Sequence, residues 1–326
     1  MRSILGTIVW MIFIRKNLAY LILPILLVII SFFFPYNYFQ TYFLKQQAQE
    51  DVTTLHLIES SLNGYLKRFD PVPGLLARES ALQNLFTLEA NNPDTVTEIN
   101  EHLKTITNDI GASDIYLLDK SGITIASSNF DTDYSFIGKD FSYRPYFEEA
   151  ASGEISRFFA LGTTSLKRGY YYSAPIYNNA EIVGVAAVKI DLEQIEKDWQ
   201  YSHNEVIVVD NYGIVFMSSM PDWRYKSINE LTPEVYEEIK QTRRYPIKEL
   251  GSLNTHLTKS KTLDKTMLTI GENHTNSEPV KFLATKTAIK TADWSLYVLS
   301  PSSAANRLAL TATLIVLLSI LFLSSL

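Results

Sequence analysis

Two uncharged apolar runs, one near each end of the chain, confine what it can fold into. From Asn17 to Phe39 the sequence reads NLAYLILPILLVIISFFFPYNYF, and from Leu308 to Leu326 it reads LALTATLIVLLSILFLSSL. A helix needs about 20 apolar residues to cross a bilayer, so residues 17–39 and 308–326 are expected to be membrane spans. Pro24 sits inside the first, where membrane helices tolerate proline better than soluble ones do. Phe32, Phe33, Phe34, Tyr36, Tyr38 and Phe39 suit an interfacial aromatic belt. A cleaved signal peptide would be shorter and would end in small residues. Residues 4–14 form a further apolar run, too short to span and suited to the interface. Arg2, Arg15 and Lys16 precede the first span, so the positive-inside rule puts residues 1–16 in the cytoplasm. Residues 40–307 are then expected outside the membrane, with the second span returning inward.

The net charge of −6 argues against a nucleic-acid partner, which needs a basic face. With no cysteine the chain has neither disulfides nor thiolate metal sites, which fits a periplasmic location. Its histidines, His56, His102, His203, His256 and His274, lack metal-ligand spacing. No phosphate-binding glycine loop, nucleophile elbow or convincing carboxylate pair is present. No cofactor, metal or catalytic residue is therefore expected, and the enzyme question stays open for what lies beyond this chain.

After the first span, Ala48, Val52, Leu55, Ile58, Leu62 and Leu66 recur at spacings of three and four. That is a coiled-coil-like seam on a helix over about 41–69, packed on its own domain, on a second copy in a homodimer, or on both. The segment Asp70-Pro71-Val72-Pro73-Gly74 breaks the helix. An internal repeat follows: residues 114–128 read DIYLLDKSGITIASS and residues 205–219 read EVIVVDNYGIVFMSS. Asp119 matches Asp210, Gly122 matches Gly213, and Ser127-Ser128 match Ser218-Ser219. Each copy is an apolar run, a D-x-x-G turn and a second apolar run, which is a hairpin pattern. Further strands are expected at 157–161, 169–176 and 182–189, and again at 267–270, 280–286 and 294–300. The fold class is α+β: two tandem modules, each an antiparallel sheet with flanking helices, on a long N-terminal helix. We expect a signalling or dimer helix at 40–75, a first module at 76–195 and a second at 196–303.

Polar groups crowd the otherwise apolar strands between Phe141 and Asp191. In Tyr143-Arg144-Pro145-Tyr146, the proline holds Arg144 extended, and a guanidinium fork fits a carboxylate. Thr163, Thr164 and Ser165 offer three hydroxyls at a strand end. In Arg168-Gly169-Tyr170-Tyr171-Tyr172-Ser173, alternation puts Tyr170 and Tyr172 on one face and Tyr171 on the other. Lys189 lies within the run GVAAVKIDL, where an unpaired buried ammonium would be costly. Each feature alone also fits an ordinary turn, core or surface. Together they provide two cations, hydroxyls and aromatic walls, which suit a small dianion.

The run RPYF…A..G…FFALGTTS..RGYY.S.PI…..GV..VKI resembles the periplasmic sensor of the bacterial C4-dicarboxylate sensor histidine kinases, the DctB family. The resemblance implies a double Cache (tandem PAS-like) fold between two spans of the inner membrane. It implies ligand contacts at Tyr143, Arg144, Thr163, Ser165, Tyr172 and Lys189, and further ones at Tyr146, Thr164, Arg168 and Ser173. Related amino-acid sensors carry an Asp, which meets the ligand's ammonium, where Lys189 stands here; a Lys favours a second carboxylate. Family members continue past the second span into phosphoacceptor and ATP-binding domains, so transmitter activity is expected to be supplied beyond Leu326 or by another chain. The reading is thus a sensor of succinate, fumarate or malate within a two-component system, partnered by a cytoplasmic kinase and response regulator. The alternatives are a double Cache sensor for another carboxylate or an amino acid, with a chemoreceptor or cyclic-dinucleotide output, and a kinase-less partner of a full-length receptor.

Overall fold

The computed structural model describes residues 2–86, 93–199, 204–259, 266–271 and 279–326, with side chains described from residue 26 onward. One helix, α1 (Arg2–Phe69), runs from the N-terminus into the folded region. The apolar run 4–14 and residues 17–25 of the first expected span lie outside the described side chains. α1 ends at the proline-rich break, and residues 72–76 form a further short helix, α2 (Val72–Leu76), because a proline in a first helical turn has no hydrogen bond to lose. α3 (Ser80–Asn84) and α4 (Pro93–Ile110) complete the helical entry.

The first sheet contains β1 (Asp114–Asp119), β2 (Thr124–Ser127), β3 (Ser156–Leu161), β4 (Arg168–Asn178) and β5 (Glu181–Ile190), in the order β2-β1-β5-β4-β3. All pairings are antiparallel, and helix α5 (Pro145–Ala151) lies between β2 and β3 in sequence. Helix α6 (Glu193–Trp199) leads to β6 (Glu205–Val209) and β7 (Val215–Ser218). A small parallel pair, β8 (Lys226–Ser227) and β9 (Gly251–Ser252), flanks α7 (Pro233–Thr242). The strands β10 (Thr255–Lys259), β11 (Thr266–Ile270), β12 (Val280–Ile289) and β13 (Trp294–Pro301) complete a second sheet ordered β10-β11-β12-β13-β6-β7. From β13 the chain passes directly into α8 (Ser302–Ser324).

The repeat is structural. Each copy forms a hairpin with one register shift, β1–β2 and β6–β7. Asp119 Oδ1 accepts from the backbone N–H of Ser121 (2.8 Å) and Ile123 (3.0 Å), and Asp210 Oδ1 accepts from Tyr212 (3.0 Å) and Ile214 (2.9 Å). Gly122 and Gly213 take φ values of 86° and 84°, a region that favours glycine. Ser128 Oγ accepts from the Ile115 N–H, and its counterpart Ser219 Oγ accepts from the Val206 N–H.

Strand alternation divides the first sheet. Ile115, Leu117, Tyr170, Tyr172, Ala186 and Val188 face a core shared with α1 and with one face of the second sheet. Phe159 stacks near Phe216 (4.3 Å) and Tyr170 meets Trp294 (5.0 Å), so aromatic rings join the two modules. The α1 seam serves this core: Leu55, Leu62 and Leu66 are buried in it. Tyr116, Leu118, Phe158, Tyr171, Val185 and Ala187 face a separate cluster closed by Phe136, Phe141, Tyr146 and Phe147.

Among the described residues, one helix, α8, is long and apolar enough to cross a membrane. Its Leu318 is 65% exposed, and Phe34 on the neighbouring part of α1 is 77% exposed. Apolar surface of this extent is costly in water and needs an apolar surround. The two helices meet at Gln40 Nε2, which donates to Asn306 Oδ1 at 2.8 Å.

Candidate ligand-binding site

The second face of the first sheet gathers most of the expected residues. Lys189 (β5) and Tyr171 (β4) are register partners and share that face. Lys189 is 1% exposed, and its ammonium donates to Ser165 Oγ at 2.8 Å. Its stem fits because Gly169 has no side chain: a Cβ there would stand 2.7 Å from Lys189 Cε. The ammonium also lies 3.4 Å from Asp114 Oδ2, on the first residue of β1. Burial pushes the Lys189 ammonium below the ordinary lysine range, with Asp114 opposing the shift.

Arg144 is the N-cap residue of α5, extended at φ −87° and ψ 130°, as its following proline requires. It too is 1% exposed. Its guanidinium donates to three backbone carbonyls: Leu161 (2.9 Å) from the first sheet, and Thr242 and Arg243 (3.0 Å each) from the end of α7 in the second module. Tyr143 lies between two cations, with the Arg144 guanidinium 5.3 Å and that of Arg243 4.2 Å from its ring centre. Its hydroxyl hydrogen-bonds Thr163 Oγ1 at 3.0 Å.

Between the cations stand tyrosines. Tyr146 stacks on Tyr171 at 5.1 Å, and Tyr116 donates to the Tyr146 hydroxyl at 2.7 Å. Burial pushes all three phenols up, so they stay protonated donors at neutral pH. Ser173 Oγ donates to the Tyr146 carbonyl at 2.6 Å and so fixes α5 to the sheet. The 162–167 loop closes over these groups: a Cβ on Gly162 would stand 2.6 Å from Ser165 Oγ and 3.2 Å from the Tyr171 hydroxyl. Thr164 lies half-buried in the same loop.

Two expected residues are not brought together with the rest. Tyr172 faces the opposite side of the sheet, where its hydroxyl donates to the Leu66 carbonyl of α1 at 2.7 Å. Arg168 faces that side too. It forms a two-pronged ion pair with Glu196 of α6 (2.9 and 2.5 Å) and donates to the Phe216 carbonyl of the second module at 3.0 Å. Strand alternation sets both apart from the rest: Tyr172 and Ser173 are neighbours in β4 and cannot point the same way. Tyr171, Tyr116 and Asp114 take places that the sequence reading passed over. Asp114 carried the same signal as Lys189, a charge in an otherwise buried strand. Arg243 sits 99 residues from Arg144, and no local pattern links them.

The arrangement combines two buried cations, one buried carboxylate and several fixed hydroxyls. It suits a small oxyanion. Three comparisons bear on it. A Cache domain family model, dCache_1, matches residues 40–308. The chain is 36% identical over 258 residues to the C4-dicarboxylate transport sensor protein DctB of Pseudomonas aeruginosa, covering 78% of this chain and 41% of the relative. It is 28% identical over 250 residues to the protein of the same name from Rhizobium meliloti, covering 75% and 39%. The chain thus spans about two fifths of the length of these curated relatives. The crystal structure of the V. cholerae histidine kinase DctB sensor domain superposes with a TM-score of 0.71 at 33% identity, covering 79% of this chain and 98% of that one.

Proposed function

This chain belongs to the Cache domain family, among the double Cache sensor regions of the DctB type, and on that premise we propose that it is the extracytoplasmic input half of a receptor for a C4-dicarboxylate. The observation that carries the reading is the burial of two cations near Tyr171, Lys189 on β5 and Arg144 at the start of α5. One ligand carboxylate would take the Arg144 fork and the other the Lys189 ammonium with the Ser165 hydroxyl. Tyr143, Tyr146, Tyr171 and Thr163 would supply hydroxyls and walls. Residues 40–307 stand outside the inner membrane in this reading, with α1 and α8 crossing it. Two copies pair along the outward face of α1, and a cytoplasmic kinase with its response regulator takes the output.

Titration calorimetry of the whole chain in detergent with succinate tests the proposal. Arg144→Ala and Lys189→Ala should each weaken binding by about tenfold or more, since a charge-assisted hydrogen bond contributes roughly 1.5–3 kcal/mol. No heat at millimolar succinate would sink the dicarboxylate reading. Asp114 presents a carboxylate beside Lys189 and supports a second reading, an amino acid whose ammonium it would meet. Heat with an amino acid and none with succinate would favour that ligand.

A further inference from the structure

A polar cavity lies on the α1 side of the first sheet, where α1, β3–β4 and the β12–β13 turn meet. It encloses about 220 Å³ and is lined by Lys67, Asp70, Arg157, Tyr170, Lys290 and Thr291, among others. Each wall comes from a different part of the fold: Lys67 from the last turn of α1, Arg157 and Tyr170 from the first sheet, and Lys290 and Thr291 from the second module. Thr291 Oγ1 donates to Asn63 Oδ1 at 2.8 Å, which holds the turn against α1.

The charge in this cavity is unevenly matched. Asp70 is taken up by Arg157 in a two-pronged pair at 2.6 and 2.9 Å. Lys67 and Lys290 have no ion-pair partner among the described residues, and Asp293 is the remaining acid within electrostatic reach of Tyr170. Tyr170 lines the cavity, and none of the hydrogen bonds found among the described residues engages its hydroxyl. Its neighbour Tyr172 has its own hydroxyl spent on the Leu66 carbonyl. An oxyanion in the cavity would accept from the free Tyr170 hydroxyl. We propose that this cavity is a binding site for a small oxyanion, a free phosphate or a carboxylate, held by Lys67, Lys290 and the Tyr170 hydroxyl. Such a ligand touches both modules and α1 at once, so its binding locks them together.

Inorganic phosphate is the probe, titrated into the whole detergent-solubilised chain at low ionic strength and followed by calorimetry; acetate in a parallel titration separates the two sources. Lys67→Gln with Lys290→Gln should weaken phosphate or acetate binding by about tenfold or more, and Tyr170→Phe by roughly threefold to tenfold, as lost charge-assisted contacts. Both lysines are exposed and Tyr170→Phe removes one hydroxyl, so the variants keep the fold. Failure of both anions to bind would overturn the site. So would binding indifferent to the lysine pair.

Discussion

At the scale of single residues, dicarboxylate binding would turn on the charge of the buried Lys189 ammonium. Asp114 on β1 and Asp191 just past β5 favour the ammonium, while Lys167 and burial disfavour it. The balance leaves the group below its ordinary value of 10.5. The folded chain therefore holds this proton less tightly than the unfolded chain, and the protein gains stability as pH rises from the lowered value toward 10.5. Ligand binding has the opposite sign, because a carboxylate needs the ammonium. Succinate affinity should fall as pH rises through that same window. Asp114→Asn removes the nearest stabilising charge, so the fall should begin at lower pH than in the native chain. Calorimetric titrations from neutral to alkaline pH check this; identical profiles would deny Asp114 that role. Lys189 itself was legible in the sequence, because an apolar strand advertises a misplaced charge. The carbonyls that engage Arg144 were not, because they come from the end of α7.

At the scale of elements, the repeated hairpins show how nearly the two halves agree and where they part. Both turns need a glycine at positive φ, but the surroundings differ. A Cβ on Gly122 would lie 2.6 Å from the Ser142 Cα, a backbone atom that cannot swing aside. A Cβ on Gly213 would lie 2.7 Å from Asn229 Nδ2, the end of a flexible side chain. Gly213→Ala should cost about 1–3 kcal/mol for the strained backbone alone, and Gly122→Ala more, with disturbance of the Tyr143–Arg144 segment that follows Ser142. Thermal unfolding by circular dichroism ranks the two; equal losses would mean that the clash is relieved elsewhere. The strands were readable because alternation and turn residues are local signals. They are observed at 156–161, 168–178 and 181–190 against expectations of 157–161, 169–176 and 182–189. The opposite facing of Tyr171 and Tyr172 was also contained in that alternation.

At the scale of the whole molecule, the first sheet is tied to α8 through the second module. Arg144 bonds the Thr242 and Arg243 carbonyls, and Arg168 bonds Glu196 and the Phe216 carbonyl, so movement of the first module draws on the second. The second sheet continues without a break from β13 into α8, which lies against α1. A ligand that binds one arrangement of these contacts better than another shifts the population of receptor states. That argument requires the folded region and the N-terminus to lie on opposite sides of a membrane. The chain has no cysteine, which makes the orientation directly measurable. A single cysteine at Leu257, an exposed position on β10, should react with a membrane-impermeant maleimide added to cells whose outer membrane is permeabilised. One placed at Ser3 should react only after the inner membrane is also disrupted, if Arg2, Arg15 and Lys16 follow the positive-inside rule. Equal labelling at both positions, or the reverse pattern, would remove the basis for transmission through α8.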